Sequence, residues 1–116
     1  MTALTAGAVT DAAGLTLGHE PVPAEQVVAG TPSTGYVDLD DARGVGIGVW
    51  EMTPGAMSDV ESDEVFIVLS GSATVEFTDP ALPAIELRAG SIVRLEAGMH
   101  TVWTVRETLR KVYVAG

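Results

Sequence analysis

Acidic side chains crowd one short stretch of this chain: Asp59, Glu61, Asp63 and Glu64 stand directly before Val65-Phe66-Ile67-Val68-Leu69. Five apolar residues rich in β-branched and aromatic side chains, closed by Ser70-Gly71, read as a buried strand. Carboxylates therefore gather at the mouth of a core strand. Alternation along the strand puts Glu64 on one face with Phe66 and Val68. Pointing inward, its carboxyl would be desolvated, and burial favours the neutral form of an acid. Glu64 is thus the candidate catalytic residue, a general acid or base. The competing reading is a structural carboxylate, hydrogen-bonded at a strand end. Asp59, Glu61 and Asp63 share one face and are expected to stay in water. Trp103, with Trp50 or Tyr113, is a candidate wall for a small organic ligand beside Glu64 and Phe66. Plain core packing explains the same aromatic residues equally well.

The elements that must hold these residues are short and extended. Met1 to Gly18 is rich in small residues and Thr, and reads as a loosely held lead ending in a strand at Leu15-Thr16-Leu17. His19 is isolated in sequence and expected at the solvated surface. Pro21, Pro23 and Pro32 punctuate strands at Gln26 to Ala29 and Gly35 to Leu39. Asp38, Asp40, Asp41 and Arg43 form a charged, solvated turn. Gly44-Val45-Gly46-Ile47-Gly48 is not the G-x-G-x-x-G of a dinucleotide site, and Trp50-Glu51-Met52-Thr53-Pro54 follows it instead of a helix. Its glycines strip one strand face for close packing against another strand or a subunit. Ala73, Val75 and Phe77 alternate with polar residues in a half-buried strand. Further strands fall at Ile85 to Leu87, Ser91 to Leu95, Thr101 to Arg106 and Arg110 to Val114. Arg110 and Lys111 fall on opposite faces of the last one, and surface solvation is the default for both. About ten short strands and no amphipathic helix predict an all-β sandwich or barrel.

Composition narrows the function classes. With 116 residues the chain fits one domain, and 47% hydrophobic against 19% charged residues argues for a packed core. Six Lys and Arg against sixteen Asp and Glu give a net charge of −10, which opposes binding to phosphate backbones. Nucleic acid is therefore excluded as a partner. The absence of cysteine removes disulfide and thiolate chemistry. No apolar run approaches membrane-spanning length and the first residues lack a signal-peptide pattern, so the expected address is cytoplasmic, without a membrane partner.

The spacing from Glu64 to Gly71 matches the second half of the first cupin motif, G-x5-H-x-H-x3-4-E-x6-G. Gly48-Val49-Trp50-Glu51, Pro54-Gly55, Gly90, Ala97-Gly98, Trp103 and Arg110 to Val114 extend the match. The chain resembles the small cupins grouped with ureidoglycine aminohydrolase and the ethanolamine-utilisation cupin, over roughly residues 27–114. The resemblance implies a single-domain jelly-roll β-barrel at 27–116, preceded by a lead and edge strand at 1–26. Metal-dependent cupins hold a divalent ion with three His and one Glu. Here the first two His positions fall on Ser58 and Val60, or on Met57 and Asp59, and the last falls on Thr101; only Glu64 survives. His100 sits one residue early, which turns its ring to the face opposite Thr101 and Trp103 unless a bulge intervenes. A site from Asp59, Glu64 and His100 would need such a bulge. The expectation is no bound metal and no cofactor, with Trp50, Phe66, His100, Thr101, Trp103 and Tyr113 as candidate ligand-binding residues around Glu64. Two function classes follow: an enzyme acting on a small polar metabolite, for which the resemblance implies nitrogen- or carbonyl-compound metabolism such as ureide hydrolysis, or a cavity protein without catalysis that binds a metabolite or serves as an oligomeric accessory partner. A homodimer is expected from exposed barrel edges and the glycine-striped strand.

Overall fold

The computed structural model describes residues 4–116. Nine strands account for its regular structure: β1 (Glu20–Pro21), β2 (Val27–Ala29), β3 (Ser33–Asp40), β4 (Gly46–Met52), β5 (Gly55–Val60), β6 (Glu64–Asp79), β7 (Ala81–Leu87), β8 (Ile92–Leu95) and β9 (His100–Ala115). One 3-10 turn, Ala42–Gly44, joins β3 to β4. All pairings are antiparallel and form one curled sheet, the all-β cupin-type barrel that the strand pattern and motif spacing imply.

β9 is the hub. One of its edges pairs with β4 through Leu109 to Ala115 and with β5 through His100 to Val105. Its other edge runs along β6 for nearly its full length. β6 in turn carries β8 opposite Glu64 to Ile67 and β7 opposite Ala73 to Thr78. The order β1-β3-β4 extends the sheet on one side and β2 borders β5.

Two pairs of expected strands are single 16-residue strands, β6 and β9. Ser70-Gly71 reads as a turn in sequence, yet here it is a bulge. Gly71 has φ +95°, and a Cβ there would collide with the Thr108 carbonyl oxygen of β9. The register with β9 shifts between Val68 and Ala73, so the inward set moves from even positions (Phe66, Val68) to odd ones (Ala73, Val75). The bulge thus bends the strand around the barrel without reversing it. The polar stretch before Glu64 also departs from expectation, because Gly55–Val60 is a strand paired with β2 and β9. Asp79-Pro80 makes a tight turn, and Pro83 lies within β7, an edge strand that pairs only with β6.

The core comprises Met52, Met57, Phe66, Val68, Val75, Leu87, Leu95, Trp103, Val105 and Leu109 with Val22 and Ala73. Val22 brings the lead into it. No strand forms at Leu15 to Leu17; the first is Glu20–Pro21, paired with β3. Nor is the lead loosely held from Ala12 onward; its first three residues lie outside the described ones. The Arg110 Nη1 group, buried on the outer face of β9, donates to the carbonyls of Ala12 (3.0 Å), Ala13 (3.3 Å) and Leu15 (2.6 Å). His19 holds Glu51 Oε2 at 2.7 Å and Ser33 Oγ at 2.9 Å, so it is a clasp between segments and not a free surface ring. Glu51 also accepts from Arg110 at 3.1 Å, which makes it the centre of the clasp.

Candidate functional site

The inward face of β9 carries Thr101, Trp103, Lys111 and Tyr113, all at odd positions, and the first residues of β6 carry Glu64 and Phe66. Register brings them together: Phe66 pairs with Tyr113, Trp50 of β4 with Lys111, and Met57 and Asp59 of β5 with Trp103 and Thr101. The result is an open cavity of about 380 Å³ bounded by Tyr36, Trp50, Asp59, Glu64, Trp103 and Tyr113, with Lys111 in its wall.

Its polar centre is an ion pair. Lys111 Nζ donates to Glu64 Oε2 at 2.6 Å, with side-chain exposures of 7% and 15%. The ammonium also lies over three rings, 4.3 Å from the centroid of Phe66, 4.8 Å from Trp50 and 4.9 Å from Trp103. Those rings pack on one another, Trp103 against Trp50 at 5.5 Å and against Phe66 at 5.6 Å. Tilted aromatic pairs and a desolvated cation on ring faces are each favourable, by about 0.5–2 kcal/mol. The cage therefore fixes the ammonium where Glu64 can reach it. Surface solvation of Arg110 and Lys111 is overturned: both are buried, Arg110 against Glu51 and Lys111 against Glu64.

A second carboxylate lies deeper. Glu61 is 9% exposed, and its Oε2 accepts from Thr101 Oγ1 at 2.6 Å and Trp103 Nε1 at 2.9 Å. Expected in water, it is instead turned inward because the chain has left β5. The Glu61 backbone is clasped to the loop before β9, its N–H on the Met99 carbonyl at 2.8 Å and its carbonyl accepting from Gly98 N–H at 2.9 Å. The sequence held a signal for this role. Inward Thr101 and Trp103 bring donors that need an acceptor, and a chain without Asn offers mainly carboxylates.

Asp59 borders the cavity, and burial, followed by the charge of Glu61, raises its carboxyl above the usual carboxylate range. The Val60 N–H on its Oδ1 at 2.9 Å and the Lys111 charge oppose that rise. Asp63 alone of the three stays exposed, accepting from Ala97 N–H at 2.9 Å. Tyr113 donates its hydroxyl to Asp38 Oδ1, and burial together with that carboxylate pushes its ionisation upward. Gly48 makes room for it, since a Cβ there would overlap the Tyr113 hydroxyl and the Val37 carbonyl oxygen. The close approach at the glycine-striped strand is thus made by its own chain.

Of the residues singled out in the sequence, Glu64, Trp50, Trp103 and Tyr113 border the cavity. Phe66 is fully buried beneath Lys111, and Thr101 stands behind the wall on Glu61. His100 is exposed, in a depression that it shares with Gln26, Ser58, Asp59 and Thr78. Glu64 borders the cavity and not this depression, so Asp59, Glu64 and His100 do not converge.

A divalent metal does not fit here. The inward positions of β5 are Met57 and Asp59, Thr101 Oγ1 is committed to Glu61, and a protein cation already sits 2.6 Å from Glu64. Among the described residues no group of three or more His, Asp or Glu side chains is placed to hold a metal ion.

Comparison with known proteins agrees with this architecture. Residues 39–113 match the model of the EutQ-like cupin domain. The chain belongs to that family. A protein of unknown function from Pseudomonas syringae pv. tomato superposes with a TM-score of 0.71 at 22% identity, covering 87% of this chain and 44% of that one. The EutQ protein of Clostridium difficile gives 0.61 at 18% identity over 72% of this chain and 67% of its own. A protein of unknown function from Acidithiobacillus ferrooxidans gives 0.58 at 24% identity over 85% and 89%. At these identities the likeness shows the fold alone. This EutQ-like cupin spans less than half the length of the Pseudomonas protein. None of the curated proteins matches it. Among the described residues no helix is long and apolar enough to cross a membrane.

Proposed function

We propose that this cupin binds a small polar metabolite inside its barrel, in the cavity walled by Trp50, Trp103 and Tyr113, with Glu64 at its polar centre. One observation carries the reading: a Glu64–Lys111 ion pair, its ammonium buried and its carboxylate partly so, that opens onto a cavity of about 380 Å³ instead of being sealed in the core. Binding sites are mostly apolar hollows with a few convergent polar groups, and volumes near 300 Å³ and above suit small organic ligands. The protein is proposed to act as a cytoplasmic homodimer with no nucleic-acid or membrane partner; the net charge of −10 supports the exclusion of nucleic acid.

Both tryptophans of the chain border the cavity, so intrinsic fluorescence reports on it without labelling. A metabolite collection screened by Trp fluorescence, together with mass spectrometry of whatever copurifies, should yield a saturable ligand whose binding raises the melting temperature. A library of polar metabolites that leaves both signals unchanged would remove the reading.

An enzymatic role is favoured by Asp59, whose carboxyl is raised above its ordinary range beside the cavity, as acid–base groups in active sites often are. Glu64 would serve as general acid or base with Asp59 nearby. Glu64→Gln should then abolish turnover of the ligand while leaving the fold intact; binding without turnover in the unaltered protein would leave the non-catalytic reading.

A further inference from the structure

The disagreement between this site and a metal centre points to what the ligand must present. An ammonium has three N–H donors and no acceptor. Among the described residues Lys111 Nζ makes one hydrogen bond, to Glu64, and its remaining directions meet ring faces and the cavity. Its side chain is more than nine-tenths buried, so bulk water does not freely take the unused donors. An oxygen acceptor would complete its hydrogen bonds.

We infer that Lys111 is a built-in cation that does the work of a metal, holding a carbonyl-type oxygen of a small, uncharged ligand. The inference rests on the proposed binding role of the cavity and names the class of ligand. Charge excludes the other classes. A carboxylate or phosphate would enter a space already facing Asp59, Glu61 and Glu64, with one ammonium to offset them. An organic cation would seek the ring faces, yet Trp50, Phe66 and Trp103 already carry the Lys111 ammonium at 4.3–4.9 Å. A neutral carbonyl meets neither objection. Its oxygen accepts from Nζ, and an N–H or O–H elsewhere on the same molecule can reach Asp59, whose Oδ2 has no protein partner among the described residues. Amides and other neutral carbonyl compounds fit that pattern.

Lys111 is the chain's one lysine, so uniform labelling of lysine with ¹³C gives a spectrum with a single εCH₂ signal. The test titrates three probes of matched size and different charge: acetamide, acetate and ethylammonium. Acetamide should shift the Lys111 signal and the Trp103 indole N–H saturably, and at least tenfold more tightly than the other two. Lys111→Met alone would strand Glu64, so the comparison uses Lys111→Met/Glu64→Leu, checked by melting, beside Glu64→Gln, which keeps the ammonium. Acetamide affinity should fall at least tenfold in the double variant and less than that in Glu64→Gln, where the ammonium remains. Acetamide binding that survives in the folded double variant, or preferential binding of acetate or ethylammonium, overturns the role of Lys111 and leaves the cavity reading standing. No response to any probe overturns the inference, while a ligand found in the fluorescence screen would show that the cavity reading holds without it.

Discussion

Replacing Lys111 by Met keeps a flexible apolar side chain on the three rings, where its sulfur packs well, and deletes only the charge. Glu64 is then left with a carboxylate 15% exposed and no cation at 2.6 Å. Removing one member of a buried pair costs about 3–5 kcal/mol, because the other charge stays desolvated and unpaired. Set against the ~5–15 kcal/mol that holds a typical domain together, this is a large fraction. For a chain of this size it corresponds to a fall in melting temperature of roughly 12–20 °C. Adding Glu64→Leu removes the stranded charge, and apolar replacement of a whole buried pair is often close to neutral. Urea unfolding of the parent, both single variants and the double variant gives the coupling energy directly. A single-variant loss below about 1 kcal/mol, or additive single changes, would mean that the pair is solvated and the argument from burial is wrong.

Other consequences can be measured on the same protein. Asp59 binds its proton more tightly in the folded than in the unfolded chain, so stability falls as pH rises from about 3.8 through its elevated folded value. Asp59→Asn should therefore be more stable than the parent at neutral pH, with the gain vanishing in acid; equal melting curves at pH 7 would contradict this. Gly48→Ala forces a methyl group onto the Tyr113 hydroxyl and the Val37 carbonyl, and should cost at least ~1–3 kcal/mol in a urea melt. Arg110→Met should release the lead, seen as faster amide exchange and proteolysis before residue 18, with the barrel still folded once Glu51 retains His19. Sedimentation at micromolar concentration should show a homodimer, and a monomer there would remove that proposal.

The fold was legible because strand signals are local. Apolar blocks such as Val65 to Leu69 and alternation such as Ala73-Val75-Phe77 mark β structure wherever they sit. Turn chemistry was less reliable, since Ser70-Gly71 serves a bulge as well as a reversal, and only long-range pairing with Thr108 and Leu109 decides between them. The site was half legible. Glu64, Trp50, Trp103 and Tyr113 could be read from alternation, but Lys111 looked like surface because lysine usually is. Two facts in the sequence argued otherwise: it is the single lysine, and it shares strand parity with Trp103. Glu61 was signalled only at a distance, by the donors of Thr101 and Trp103 that need an acceptor. Its inward turn depends on backbone bonds to Gly98 and Met99, far along the chain, which no local pattern encodes.

Arg110 and Lys111 are neighbours with opposite duties, one gripping the lead outside the barrel and the other facing the cavity inside it. A strand can slip by one residue only by exchanging its faces. Insertion or deletion of one residue between Leu109 and Tyr113 would thus put the guanidinium among the aromatic rings and the ammonium on the outer wall, undoing clasp and cavity together. Length change in this family should therefore collect in the β6–β7 turn, where it alters neither, while the five residues from Leu109 to Tyr113 keep a fixed count.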